Sequence, residues 1–253
     1  MERCQKVKII PHLSLDLTEC EFDVFSRDGA DGILEVLISV LYYNRKYQNY
    51  YVEIGVGDGT ECNTRNLRER YDWCGLMLDG GWSNPEINLH QYFLTKDNVV
   101  GLMEGHKVPK QFELLSIDID YNDFYLLYEI IKNYTMDIVV CEYNSHIPPN
   151  EDKVVIYDDG GWDQTTDYYG ASIYSMYKLM MCYGYTLIYA DNAGANLFFL
   201  HNKIVKNGSV SFKDMNDVPK IHKPPNFFQQ GVRHVADHMK REYTSSLKIM
   251  GGR

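Results

Sequence analysis

Residues 28–47, "DGADGILEVLISVLYYNRKY", carry apolar side chains at helical spacing and predict an amphipathic helix ahead of a first strand, "YYVEIGV" (50–56). "TECNTRNLRERY" (60–71) predicts a second helix. "CGLMLD" (74–79) is a second strand, with the unbroken apolar run of a strand covered on both faces. A third strand over 89–95 is followed by a short helix over 96–105, opened by Thr95 or Asp97 as its cap. "FELLSIDID" (112–120), "FYLLYEIIKNY" (124–134) and "MDIVVCEYN" (136–144) then give strand, helix and strand. Residues 145–170 show no period, and a loop of that length is usually functional or mobile. A helix over 171–184 leads to two strands, 185–191 and 195–201, joined by the turn "NAGA".

Strands alternating with helices imply right-handed crossovers and a parallel sheet, while the short last connection implies one antiparallel strand at its edge. The expectation is therefore an α/β fold. It has a Rossmann-like, mostly parallel seven-stranded sheet, helices on both faces and a C-terminal antiparallel hairpin. One domain fits the 253 residues. Its core spans about 28–205, and 206–253 form a polar, proline-punctuated extension ending in a short helix around 231–247.

The formal charge of −10 argues against nucleic acid or an anionic membrane surface as partner. The charge is uneven: residues 201–253 hold ten Lys/Arg against four Asp/Glu. Such a tail suits solvated surface, the chain's own acidic body or an anionic partner. The six cysteines are scattered, with no C-x-x-C pair, and no apolar window approaches the roughly 18 residues of a membrane span. A cytoplasmic protein acting on a small molecule or glycan is expected, and self-assembly stays open.

Gly55, Gly57 and Gly59 alternate directly after the first strand, where glycine permits positive φ and close approach of a ligand to the main chain. Ligands of open α/β sheets sit at such strand ends. The spacing is G-x-G-x-G, with Thr60 where a dinucleotide fingerprint needs glycine, so a pyrophosphate cradle is disfavoured. Glu53 precedes the turn, Asp58 lies within it, and Asp79 ends the second strand, placed to accept hydrogen bonds from ribose hydroxyls. A ribose without a phosphate behind it points to a nucleoside with an amino-bearing tail, such as S-adenosylmethionine. "VEIGVGDG" with "LMLD" resembles motif I and the strand-two acid of class I S-adenosylmethionine-dependent methyltransferases.

A second group gathers on the same side of the sheet: Asp118 and Asp120 at the end of strand four, Asp123 at the start of the next helix, and Glu142, Asn144 and His146 at the end of strand five. Carboxylates converging without a basic partner repel unless a cation or shared proton intervenes, and hard oxygen ligands suit Mg²⁺ or Mn²⁺. "SIDIDYNDFY" is similar to the strand-four motif of FkbM-like and macrocin-type sugar O-methyltransferases. The resemblance covers roughly residues 50–200. It implies Asp118, Asp120 and Glu142 as metal ligands, Asp118 also beside the cofactor, and Asp120, Asp123 and His146 near the acceptor. The chain departs from the macrocin pattern by an extra residue between Asp120 and Asp123 and by Glu142-Tyr143 in place of paired aspartates.

His146 is the candidate general base by type and position, although a lone histidine after a strand is more often structural. In the long loop, Tyr157, Asp158, Trp162, Asp163, Tyr168 and Tyr169 mix rings with carboxylates, as a carbohydrate site requires; a loop packed by its own aromatics explains them equally. The expected function is S-adenosylmethionine-dependent O-methylation of a small polar acceptor, most plausibly a sugar hydroxyl. The alternative is a binding or assembly protein that kept the fold without catalysis.

Overall fold

The computed structural model describes residues 13–42, 47–207, 210–226 and 234–251. Seven strands form the central sheet: β1 (Tyr50–Ile54), β2 (Cys74–Asp79), β3 (Leu89–Gln91), β4 (Gln111–Ile117), β5 (Thr135–Glu142), β6 (Tyr185–Ala190) and β7 (Asn196–His201). Their order is β3-β2-β1-β4-β5-β7-β6, and β7 alone runs antiparallel to its neighbours. The fold is thus the expected α/β sheet with its hairpin, with one correction. The antiparallel strand is not at the edge but lies between β5 and β6. β7 pairs with β5 on one side and β6 on the other, so the hairpin enters the sheet by its second strand and β6 takes the edge.

Alternation along each strand divides the core into two apolar layers. Val52, Leu76, Leu115, Val139 and Phe199 pack on one face with α3 (Val99–Gly105), α4 (Asp123–Asn133) and α5 (Ile173–Cys182). Tyr51, Met77, Leu114, Val140 and Phe198 pack on the other with α1 (Ala30–Leu41) and α2 (Arg65–Arg70). Burying large side chains on both faces makes the sheet a rigid platform whose carboxyl edge is free for loops.

Several elements are shorter than their periodicity suggests, because local hydrogen bonds compete with the helix. Residues 60–64 wrap around Glu53 before α2 begins, and Asn98 rather than Thr95 or Asp97 is the cap residue of α3. The first helix ends at Leu41; residues 43–46 of its expected span lie outside the described residues. Residues 231–233 of the helix expected over 231–247 lie outside the described residues, and from His234 onward a strap takes its place. Val235 bridges Thr166, Tyr243–Thr244 pair antiparallel with Val154–Val155, and only Ser246–Ile249 are helical. Tyr243 packs on Tyr168 of the long loop, while Val235 and Met239 stay exposed, so the stretch presents no continuous apolar face for a helix to bury. The basic extension does reach the acidic body, through Arg241 to Asp163 and Lys213 to Asp16.

Candidate functional site

The sheet order reverses direction between β1 and β4, which is where an open α/β sheet leaves a crevice beyond its carboxyl ends. Three strand ends are tied together there: Gly55 donates its N–H to the Leu78 carbonyl at 2.9 Å, and Asp118 donates to the Ile54 carbonyl at 3.0 Å. Gly55 has φ of 81°, and a Cβ on it would lie 1.5 Å from the Asp118 carbonyl oxygen, so no other residue fits. Gly59, also at positive φ, would drive a Cβ to 2.6 Å from Ile87, whereas Gly57 faces open space.

The crevice holds two lobes of about 590 and 580 Å³ that share Gly55, Gly57, Asp118 and Asp120. The first is lined by Asp79, Gly81, Trp82, Tyr92, Phe93, Leu94, Asn122 and Gln164, among others. Asp79 caps its floor: Oδ2 accepts from Gly57 N–H at 2.8 Å and Oδ1 from Gly81 N–H at 2.7 Å. A carboxylate has about four lone-pair sites, so each oxygen retains one for a ligand hydroxyl. Trp82 and Phe93 are more than half exposed at this mouth, which offers apolar faces to a flat ring.

The second lobe is lined by the glycine turn and by Glu53, Asp58, Asn63, Ser116, Glu142, Asn196, Trp162 and His234, among others. Glu53 holds the turn in shape. Its carboxylate accepts from Asn63 N–H at 2.7 Å, Thr64 N–H at 3.0 Å and the Thr64 hydroxyl, and burial pushes its pKa up. Asp58 accepts from Thr60 N–H at 2.9 Å, closing a local turn.

Asp118 and Glu142 line this lobe and Asp123 does not, yet the three each place a carboxylate oxygen within 4.8 Å of the others. Asp123 is fully buried as the first residue of α4, and its Oδ1 accepts from Ile119 N–H at 2.8 Å. Its Oδ2, like Glu142 Oε2, is buried with no hydrogen-bond partner. Asp118 touches the solvent of the cleft, yet the surrounding protein desolvates it and pushes its pKa well up, with Asp120 and Asp123 adding to the effect. Burial, then the neighbouring Asp118, Asp123 and Asp120, raises Glu142 in the same way, and burial lifts Asp123 to about 7. Asp120, at φ of 66°, borders both lobes but stands outside the three-oxygen set.

His146 is not among the residues lining either lobe. Its Nε2 lies 3.3 Å from Nδ1 of His234, and it is His234 that reaches the lobe, carried there by the strap. Burial lowers the pKa of both. Asn144 pins the long loop, donating from Nδ2 to the carbonyls of Asp167 and Tyr169 at 2.8 Å each.

Of the six loop residues singled out by sequence, Trp162 lines the lobe. Tyr168 and Tyr169 are buried packing residues, the Tyr168 hydroxyl donating to the Glu242 carbonyl at 2.7 Å. Tyr157 bonds Asp159, Asp158 caps Gly160 N–H, and Asp163 accepts from the Thr165 and Thr166 N–H groups and then from Arg241, which together hold its carboxyl below the usual range against its desolvation.

Sequence reasoning missed Tyr92, Phe93 and Leu94, whose apolar run after β3 marks a strand end facing the crevice. It also missed His234, which no local pattern announces.

No protein-family model matches the chain, and no curated protein does. Among solved structures, the chain resembles the mitomycin 7-O-methyltransferase MmcR at 12% identity over 67% of this chain and 55% of that one, with a TM-score of 0.31. It likewise resembles the pyocyanin biosynthetic protein PhzM at 15% identity over 69% of this chain and 59% of that one, also at 0.31. The matches cover less than two thirds of either protein, and likeness at this level bears no weight on the site. The fold rests on the sheet order given above.

Proposed function

We propose that the protein is an S-adenosylmethionine-dependent O-methyltransferase of a small polar acceptor, a sugar or glycan hydroxyl, with a divalent cation at the acceptor side. The observation that carries this reading is the pair of lobes meeting at Gly55 and Asp118: one suits a nucleoside, the other is lined by acids, and they share a wall where two substrates would meet. Asp79 suits ribose hydroxyls and the Trp82 and Phe93 faces suit an adenine ring. The methyl donor supplies an electrophilic carbon on a sulfonium, so the chain's residues need only align an acceptor oxygen and manage one proton.

The donor set fits a hard cation. Asp118, Asp123 and Glu142 offer oxygens only, and two of those oxygens are buried without partners, an arrangement that is costly unless a cation or proton satisfies them. Asp123 here takes the ligand place that sequence resemblance gave to Asp120. A bound Mg²⁺ or Mn²⁺ would supply Lewis-acid polarisation of a hydroxyl. His234, whose pKa burial and the neighbouring His146 lower, is suited to accept the hydroxyl proton, and Trp162 to pack against a sugar's C–H face.

Isothermal titration with S-adenosylhomocysteine, with and without Mg²⁺, tests the reading. Micromolar binding is expected. No detectable binding by a folded protein under either condition would overturn it in favour of a non-catalytic binding protein.

A further inference from the structure

Among the described residues lining the two lobes, Arg27 is the single lysine or arginine. It comes from the segment ahead of α1, which adds no strand to the sheet and yet is held firmly. The buried Asp31 carboxylate accepts N–H bonds through Oδ2 from Val24, Phe25 and Ser26 at 2.8, 2.7 and 2.7 Å. The Ser26 hydroxyl accepts from Asp31 N–H at 2.9 Å, and Asp23 accepts from Gly29 N–H at 2.6 Å. Asp28 and Gly29 both have positive φ, and a Cβ on Gly29 would lie 2.4 Å from that of Glu21. The Phe25 ring is covered by Arg65, whose guanidinium carbon is 4.2 Å from its centroid, so the segment is also anchored on α2.

This scaffold delivers Arg27 to the wall of the lobe at the far end of the glycine turn, where it pairs with Glu61, two residues beyond Gly59. The pair is mostly exposed, at 66% and 56%, so it adds little to stability. A guanidinium has five N–H donors, more than one carboxylate can occupy. From Asp79, which bonds Gly57, the turn runs on through Gly59 to Glu61 and Arg27. An occupant that starts as a nucleoside at Asp79 and extends along the turn therefore passes from the first lobe into the turn side of the second, which it shares with the acceptor, and ends beside a cation in a lobe whose other charged walls are acidic. The complementary end group is amphoteric, an ammonium with a carboxylate, and guanidinium recognises carboxylate in a fixed fork.

We propose that Arg27 binds the carboxylate of the cofactor's amino-acid tail, making the segment ahead of α1 part of the cofactor site. This rests on the reading that S-adenosylmethionine occupies the cleft. It is tested by titrating the full chain, as parent, Arg27→Ala and Arg27→Lys, with S-adenosylhomocysteine and with 5′-methylthioadenosine, which keeps the nucleoside and sulfur but lacks the tail.

The parent is expected to bind S-adenosylhomocysteine more tightly than methylthioadenosine. Arg27→Ala should weaken the former by about tenfold to a hundredfold and leave the latter unchanged, with partial recovery in Arg27→Lys. Unchanged S-adenosylhomocysteine affinity in Arg27→Ala overturns the assignment, as does an equal loss for both ligands. Equal affinity of the parent for both ligands refutes a tail subsite while leaving the nucleoside site intact. If the folded parent binds neither, the cofactor reading itself fails and the Arg27 assignment falls with it.

Discussion

The two lobes of the crevice are built in opposite ways. The Asp79 lobe has its polar floor made by short runs at two strand ends: Gly55 and Gly57 follow β1, and Asp79 ends β2 with Gly80 to Trp82 after it. The Glu142 lobe is assembled from segments spread over two hundred residues, from Arg27 to His234, and depends on a strap that pairs with the long loop. Backbone geometry makes the first lobe, and tertiary packing makes the second. The first should therefore fail through single backbone substitutions, and the second through lost charges and lost docking.

The sharpest test of that contrast compares two glycines of one turn. Gly55→Ala forces a Cβ into the Asp118 carbonyl at positive φ and is expected to cost about 4 kcal/mol or more in chemical denaturation. Gly57→Ala meets nothing within 4 Å and bears only the cost of its left-handed φ, about 1 kcal/mol. Equal losses would show that the cradle is not made by close approach of β4 to the turn.

Next in size is Asp79→Ala, which removes an acceptor for Gly57 and Gly81 as well as the proposed ribose contact. S-adenosylhomocysteine affinity should fall on the order of a hundredfold by titration calorimetry, while a Mg²⁺-induced rise in Tm should persist. Loss of both would mean that the lobes are not separable.

How far each lobe was legible follows from the same contrast. Gly55, Gly57, Gly59 and Asp79 announce themselves because a turn's φ requirement and a strand's end are written in contiguous residues. Asp118 and Glu142 were legible as acids at strand ends and Asp123 as one at a helix start, but which of the acids converge was not. Asp120 takes a left-handed φ and leaves its place beside the buried oxygens to Asp123. The position of β7 was hidden because a short turn reveals that two strands pair, not which side of the hairpin enters the sheet. His234 was illegible because a strap sits where pairing with Thr166 puts it, and no period encodes that register.

The acid cluster also predicts a pH signature. Burial raises the Asp123 carboxyl from 3.8 to about 7, so the folded chain keeps a proton that the unfolded chain releases. Its contribution to stability is full below about pH 4 and is lost as pH rises through about 7. With chelator present, Tm should fall between pH 5 and pH 8, and more gently in Asp123→Asn, which retains the side-chain acceptor for Ile119 but cannot titrate. Mg²⁺ should then raise the Tm of the parent at pH 8 and not that of the variant. Parallel curves for the two proteins would remove Asp123 from the cluster.

The smallest expected effect tests the strap. Arg241 donates from one nitrogen to Asp163 at 2.7 Å, the Thr166 hydroxyl at 2.6 Å and Asp237 at 3.1 Å, and its guanidinium carbon lies 4.2 Å from the centroid of the Tyr168 ring. The guanidinium is about a quarter exposed, so solvent screens its pairs and Arg241→Ala should cost only about 1 kcal/mol globally. Its local consequence is larger, because these contacts fasten the strap that carries His234 to the loop that carries Trp162. Amide hydrogen exchange in the variant should accelerate over 154–171 and 234–244 and stay unchanged in β1, β2 and β4. Nucleoside affinity should fall only slightly: the loop that Arg241 fastens gives Asp159, Gly161 and Gln164 to the Asp79 lobe, but Asp79, Trp82 and Phe93 lie outside it. Acceleration spreading into β1 would show that the two lobes fold as one cooperative unit, and the division between a backbone-made lobe and an assembled one would then be geometric only.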